Sequence, residues 1–234
     1  MKWKQWAGSR FGSWLLCIIL TACLTAALIL GAKPEAAYAA GEEEGVLHAF
    51  YPSNAVFSGQ IQKYIDSVDS LTFAWSRIDA EAPELINTKK GQNGNWGFYY
   101  PESFDQPVEY AKSKGKSIQL NIYMDGDDCS KLLPYEEQRS IMIQAVAEHL
   151  QADITQGKGI YYDGIVIDFE GLRNTSGDKK VLYYNGKQIS YYFVQFLTEL
   201  KQELASIEKT LYVAVNPGIY YDGYDYASIL KIGR

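Results

Sequence analysis

The chain has 234 residues, with 22 Lys and Arg against 28 Asp and Glu and a formal net charge of −6 at pH 7. Residues 1–39 carry four of the basic groups and one acid, so the remainder has 18 basic and 27 acidic groups, a net charge of −9; that argues against nucleic acid, whose binding depends on neutralising phosphates. Of 3 cysteines only Cys129 lies beyond residue 39, which excludes an intramolecular disulfide there and leaves stability to a core that a chain of this length can build as one domain.

Lys2, Lys4 and Arg10 precede an apolar run from Trp14 to Ala32, and small residues follow at Ala37 and Ala39. This order predicts a secretory signal peptide over residues 1–39, cleaved after Ala39, and a product that is secreted or held in the cell envelope. The apolar run is long enough that an uncleaved membrane anchor stays open as the alternative. Leu20–Cys23 has the look of a lipoprotein signal, but apolar sequence continues through Leu30, where such a signal turns polar.

Beyond the signal, strands and helices alternate. Val46–Tyr51 reads as a strand and Ser58–Val68 as a short helix with Ile61, Tyr64, Ile65 and Val68 on one face. Ser70–Ile78 is a second strand, Glu102–Gly115 a helix ending in glycine, and Ser117–Met124 a third strand. Pro134–Asp153 is the clearest helix, with proline at its start, acids in its first turn and Ile141, Ala145 and Leu150 on an apolar face. A strand ending at Glu170, the helix Ser190–Ile207 and the strand Leu211–Pro217 follow. Alternation of this kind implies right-handed crossovers and a parallel α/β sheet. About five strands are visible, short of the eight of a closed (β/α)8 barrel, so the expectation is either a smaller open sheet or an incomplete barrel of that type.

The strand "GIVIDFE" raises the functional question. Side chains along a strand alternate faces, so Val166, Asp168 and Glu170 share one face and Ile165, Ile167 and Phe169 the other. Asp163 has the opposite parity and sits at the strand's entrance. Asp168 and Glu170 therefore lie together at the carboxyl end of a parallel strand, where α/β folds place their active sites. Two neighbouring carboxylates in a partly desolvated pocket retain one proton between them near neutral pH, as general acid catalysis of glycoside cleavage requires. A structural pair, bonded to backbone or to a cation, is the alternative that spacing leaves open.

Asp163–Glu170, "DGIVIDFE", resembles the fourth-strand signature of glycoside hydrolase family 18, the chitinase-like family, D-G-x-D-x-D-x-E. Three strand–helix pairs precede it, and "LYVAVNP" and "YDGYDYASIL" downstream make the chain most similar to the exported spore-cortex and cell-wall hydrolase branch, over roughly Val46 to Leu230. The resemblance implies a TIM barrel incomplete in this chain. It also implies cleavage of β-1,4 linkages in N-acetylglucosamine polymers, peptidoglycan or chitin, with no metal or organic cofactor. Carried over by position, Glu170 protonates the leaving oxygen and Asp168 holds the substrate's acetamido group, whose oxygen attacks the anomeric carbon. Asp163 and Gly164 match the motif as structural positions. Val166 stands where the motif has an aspartate that helps manage the charge on the residue matching Asp168, which implies altered pH dependence or slower turnover. The family's sixth-strand tyrosine and last-strand tryptophan would lie beyond Arg234. A glycan-binding member without turnover and a truncated inactive product are therefore the alternatives.

Aromatic residues are numerous, with 19 Tyr, 9 Phe and 5 Trp, and serve either core packing or sugar stacking. Phe50, Trp75 and Asn216 fall near strand ends as candidate substrate contacts, as does Trp96 in the Gly- and Asn-rich Lys89–Tyr100. The loop Gly171–Gln188 reads as a lid or a plain surface loop. The acid-rich Asp125–Asp128 suggests calcium, but Gly126 and the missing downstream Glu do not fit a calcium loop, so no metal is expected. His48 and His149 have no context for a Ser-His-Asp arrangement and read as structural. The expected partner is the polysaccharide, with a membrane engaged only through the N-terminal segment.

Overall fold

In the computed structural model, residues 45–51, 55–87, 104–155, 157–217 and 221–232 are described, apart from the side chains of residues 74, 75 and 85. Residues 1–39, the Trp96 loop and the side chain of Trp75 lie outside them. The elements are β1 (His48–Phe50), α1 (Gly59–Asp66), β2 (Ser70–Asp79), β3 (Ala82–Asn87), α2 (Asp105–Ser113), β4 (Ser117–Asp125), α3 (Gly126–Leu132), α4 (Glu136–Leu150), β5 (Gly164–Glu170), α5 (Ile189–Ser206), β6 (Thr210–Val213) and α6 (Tyr226–Ile232).

Strands β1, β2, β4, β5 and β6 form one parallel sheet in that order, curled into a half-barrel with helices outside. The curl is strong enough that His48 on β1 and Tyr212 on β6, at opposite edges, bring their rings to 5.4 Å. Each parallel connection passes through a helix, as crossovers between parallel strands require. The outer face of the sheet is the core. Ile118, Leu120, Ile122 and Met124 of β4 and Ile165, Ile167 and Phe169 of β5 are fully buried against Val146 and Leu150 of α4 and Phe193, Phe196 and Leu197 of α5. Phe169 stacks on Phe196 at 5.2 Å, and burying such a side chain contributes about 1.5–3 kcal/mol.

The inner face is polar. Gln119, Asn121, Tyr123 and Asp125 of β4 alternate with the core residues, beside Gly164, Val166, Asp168 and Glu170 of β5. At the lower end, His48 contacts the Ser70 and Thr72 hydroxyls at 3.0 and 2.9 Å, and Gln119 accepts from Thr210 at 3.2 Å. Gly164 is fixed by this packing, since a Cβ there would lie 2.1 Å from Thr210 Oγ1, 2.3 Å from the Thr210 carbonyl oxygen and 2.5 Å from Gln119 Oε1.

Two elements add to the sequence expectation. β3 runs antiparallel to the far end of β2, pairing Asn87 with Arg77 and Ala82 with Asp79, beyond the point where β1 stops at Thr72. Its proline, Pro83, is tolerated because β3 is an edge strand. The acid-rich Asp125–Asp128, to which the sequence assigned no element, is the start of α3. Asp125 caps that helix, its Oδ1 accepting from the Asp127 and Asp128 amides at 3.1 and 3.0 Å.

Candidate active site

β5 brings the two acids of the sequence pattern to the carboxyl end of the sheet on one face. Asp168 is half-buried opposite Tyr123, and Glu170 is exposed opposite Asp125. Ile165, Ile167 and Phe169 anchor the strand in the core, so the backbone that carries both carboxylates is held from behind. The chain just after Glu170 is fixed as well. The Tyr224 hydroxyl donates to the Phe169 carbonyl at 2.7 Å and lies 2.8 Å from Asn216 Oδ1, which accepts the Gly171 amide at 3.0 Å.

Burial raises the Asp168 carboxyl above its ordinary value, the negative charge of Glu170 raises it further, and the Asn121 amide opposes them. Both leading causes disfavour charge, so Asp168 is the member of the pair whose surroundings favour a proton. Burial also raises the Tyr123 hydroxyl, with Glu170 and Asp125 adding to the effect and Arg77 opposing it. Arg77 places a cation at this rim. It donates to Asp125 Oδ2 at 2.8 Å and Asp128 Oδ2 at 2.9 Å, and its guanidinium lies 5.7 Å from the centre of the Tyr123 ring. Lys131 joins Asp128 at 3.3 Å. Among the described residues, no group of three or more His, Cys, Asp or Glu side chains is arranged to hold a metal ion.

The other sequence candidates fall in different places. Val166 is 2% exposed, between Asn121 and Tyr212 in register and outside the main core cluster. Asp163 pairs with Lys112 at 2.9 Å and accepts the Ile118 amide at 2.8 Å, tying the start of β5 to β4 and α2. Phe50 is 41% exposed with its ring edge-on to His48; the register carries it through Thr72 and Gln119 to Gly164, not to the carboxylates. The backbone of Trp75 pairs with Asn121. Asn216 stands at the rim, but its Oδ1 is taken up by Gly171 and Tyr224.

The segment after Glu170 is latched. Asp222 accepts from the Asn174 amide at 2.8 Å, the Thr175 amide at 3.3 Å and Thr175 Oγ1 at 2.6 Å, while the Asn174 side chain donates to the Asp222 carbonyl and Ser190. Bridges Thr175–Val181 and Tyr184–Lys187 brace the rest. Sequence reasoning missed Arg77, Asn121, Tyr123, Tyr224 and Asp222. The polar alternation of Gln119, Asn121, Tyr123 and Asp125 through an apolar strand was the available signal for an inner face.

No family model matches the chain, and no curated protein matches it by sequence. Solved structures do match by fold. The C-terminal domain of a chitinase candidate from Desulfitobacterium hafniense superposes with a TM-score of 0.55 at 19% identity over 80% of this chain. The fold is that of the chitinase barrels. The spore cortex-lytic enzyme SleL of Bacillus megaterium matches this chitinase-type half-barrel with a TM-score of 0.55 at 14% identity over 80% of the chain. A class V chitinase from Pseudomonas fluorescens gives 0.51 at 13% over 80%. The chain covers 53%, 40% and 52% of those three structures, about half their length or less.

Proposed function

We propose that the protein is an exported glycoside hydrolase that cleaves β-1,4 linkages in N-acetylglucosamine-containing polymers of the cell wall by substrate-assisted, retaining catalysis. The observation that carries this reading is the placement of half-buried Asp168 beside exposed Glu170 at the carboxyl end of β5, in a sheet with the chitinase-type fold. Burial and the nearby charge of Glu170 raise the Asp168 carboxyl, which favours keeping a proton at the site. Glu170, open to the cleft, delivers it to the glycosidic oxygen as the bond breaks. Asp168 orients the acetamido N–H, and the acetamido oxygen closes on the anomeric carbon to give an oxazolinium that water then opens. Residues 1–39 direct export, by cleavage after Ala39 or as a retained anchor.

The test is release of reducing ends from peptidoglycan and from chitin by the protein and by Glu170→Gln. Loss of about 10²-fold or more in the variant, with folding unchanged, supports Glu170 as the acid. Equal release by both proteins overturns the assignment. Val166 favours a second reading, because an apolar side chain at 2% exposure cannot share charge with Asp168. Glycan binding without hydrolysis, unaltered by Val166→Asp, would make the protein a glycan-binding module.

A further inference from the structure

Beneath the two carboxylates, β4 carries a side chain that the proposed reaction leaves unexplained. Asn121 is fully buried, and neither its Nδ2 nor its Oδ1 has a hydrogen-bond partner among the described residues. An unpaired polar group in a dry interior costs about 1–3 kcal/mol, so an amide with both ends unpaired is poorly accounted for by packing alone. Leucine would fill a similar volume without that cost.

Its position in the sheet suggests a role. In the β4–β5 register Asn121 is opposite Val166, and the next inner-face pair toward the rim is Tyr123 with Asp168. Asn121 thus stands one step below Asp168 on the same face. Its lateral neighbour on β5 offers only methyl groups. The amide favours the charged carboxylate against burial and the charge of Glu170.

We infer that Asn121 is the positioning residue for Asp168, an uncharged seat that the carboxyl occupies in either protonation state. When Asp168 is ionised, Nδ2 donates to it. When Asp168 is protonated, its O–H donates to Oδ1. An aspartate at this position would accept only the protonated form and would add a like charge; valine or leucine would accept neither. The amide therefore supports the carboxyl while a proton passes between Asp168 and Glu170, without moving the net charge of the site. The inference rests on the hydrolase reading for its catalytic consequence, but not for its electrostatic one.

The test titrates the Asp168 carboxyl by carbon NMR in the free protein and in Asn121→Leu, Asn121→Asp and Asn121→Ser, alongside the pH profile of reducing-end release. Asn121→Leu shifts the Asp168 midpoint upward by removing the donor, and Asn121→Asp shifts it further upward by adding a charge. Asn121→Ser, which keeps a donor and an acceptor, restores part of the difference. On turnover, Asn121→Leu loses about tenfold in kcat with little change in KM, the effect of one hydrogen bond. An Asp168 midpoint that stays put in both Asn121→Leu and Asn121→Asp overturns the inference. Should the parent protein show no hydrolysis, the hydrolase reading fails while the titration still decides the role of Asn121. If Asn121→Leu does not fold, the aspartate and serine variants carry the comparison.

Discussion

Gly126→Ala perturbs the contact that braces the end of β5, where Glu170 stands. A Cβ on Gly126 would lie 2.5 Å from the Gly171 carbonyl oxygen, 2.9 Å from its carbon and 3.4 Å from the Glu170 carbonyl oxygen. Ordinary contact begins at 3.4 Å, so the two backbones must part by about 0.9 Å. Neither is free to do so. Gly171 is held by Asn216, and α3 is held through Asp125 by its own cap and by Arg77. Overpacking against fixed backbone costs about 1–3 kcal/mol, and the better helix propensity of alanine returns at most about 1 kcal/mol. The expected net loss is about 1–2 kcal/mol, measured as a lower urea midpoint at unchanged slope. Displacing Glu170 by something near 1 Å also costs up to about 10²-fold in reducing-end release per folded molecule. Gly59→Ala is the matched control, because nothing lies within 4 Å of its Cβ position; its stability stays within about 0.5 kcal/mol of the parent. A Gly126→Ala protein that unfolds at or above the parent midpoint would refute the close approach of α3 to the end of β5.

Asp168→Asn removes a group whose folded-state proton affinity is raised by burial and by Glu170. Between its unfolded and folded values the native protein binds more protons than the unfolded chain, so stability falls as pH rises through that window and the cost persists above it. Asp168→Asn is therefore more stable than the parent at pH 7, by about 1 kcal/mol, and loses hydrolysis; the advantage disappears below the unfolded value, and urea midpoints at pH 3 and 7 that show no such difference would contradict it. Asp222→Ala releases Asn174 and Thr175, so limited proteolysis within residues 174–187 accelerates by about fivefold, as expected for ~1 kcal/mol of lost hydrogen bonding. Burial works against the charge on Asp222, but bonds from Thr175 and Asn174 outweigh it and hold the carboxyl below its ordinary range. That latch is in force above the unfolded value and weakens as pH falls through the folded one, so protection of the loop that is insensitive to acid would count against it.

Much of the fold and half of the candidate site were legible because their signals are local. The alternation in "GIVIDFE" places Asp168 and Glu170 on one face, and Ile165, Ile167 and Phe169 on the other tie the strand to the core. The helix of residues 136–150 announces itself by its acids and its proline, and the outer face of β4 by four apolar residues at alternate positions. β3 was missed because six residues containing Pro83 have no strand signature until β2 outruns β1 and leaves an edge to pair with. The acids of Asp125–Asp128 gave no sign of a helix start, because an acid-rich cap and an acid-rich loop share a composition. Only the chain direction after Asp125 separates them.

The sequence by its own periodicity determined which side chains share a face, which end of the sheet carries the acids and which residues form the outer core, since these depend on the two-residue and 3.6-residue repeats of the backbone. Tertiary structure decided what stands opposite each acid. Tyr123 meets Asp168 and Asp125 meets Glu170 from 45 residues away, Arg77 reaches Asp125 across 48, and Asp222 latches Asn174 across 48. Register and curl set these encounters, and both are products of packing the whole sheet against its helices. The same packing turned Asn121 from a polar interruption of a strand into a buried amide beneath Asp168, and left Val166 beside it with no charge to share.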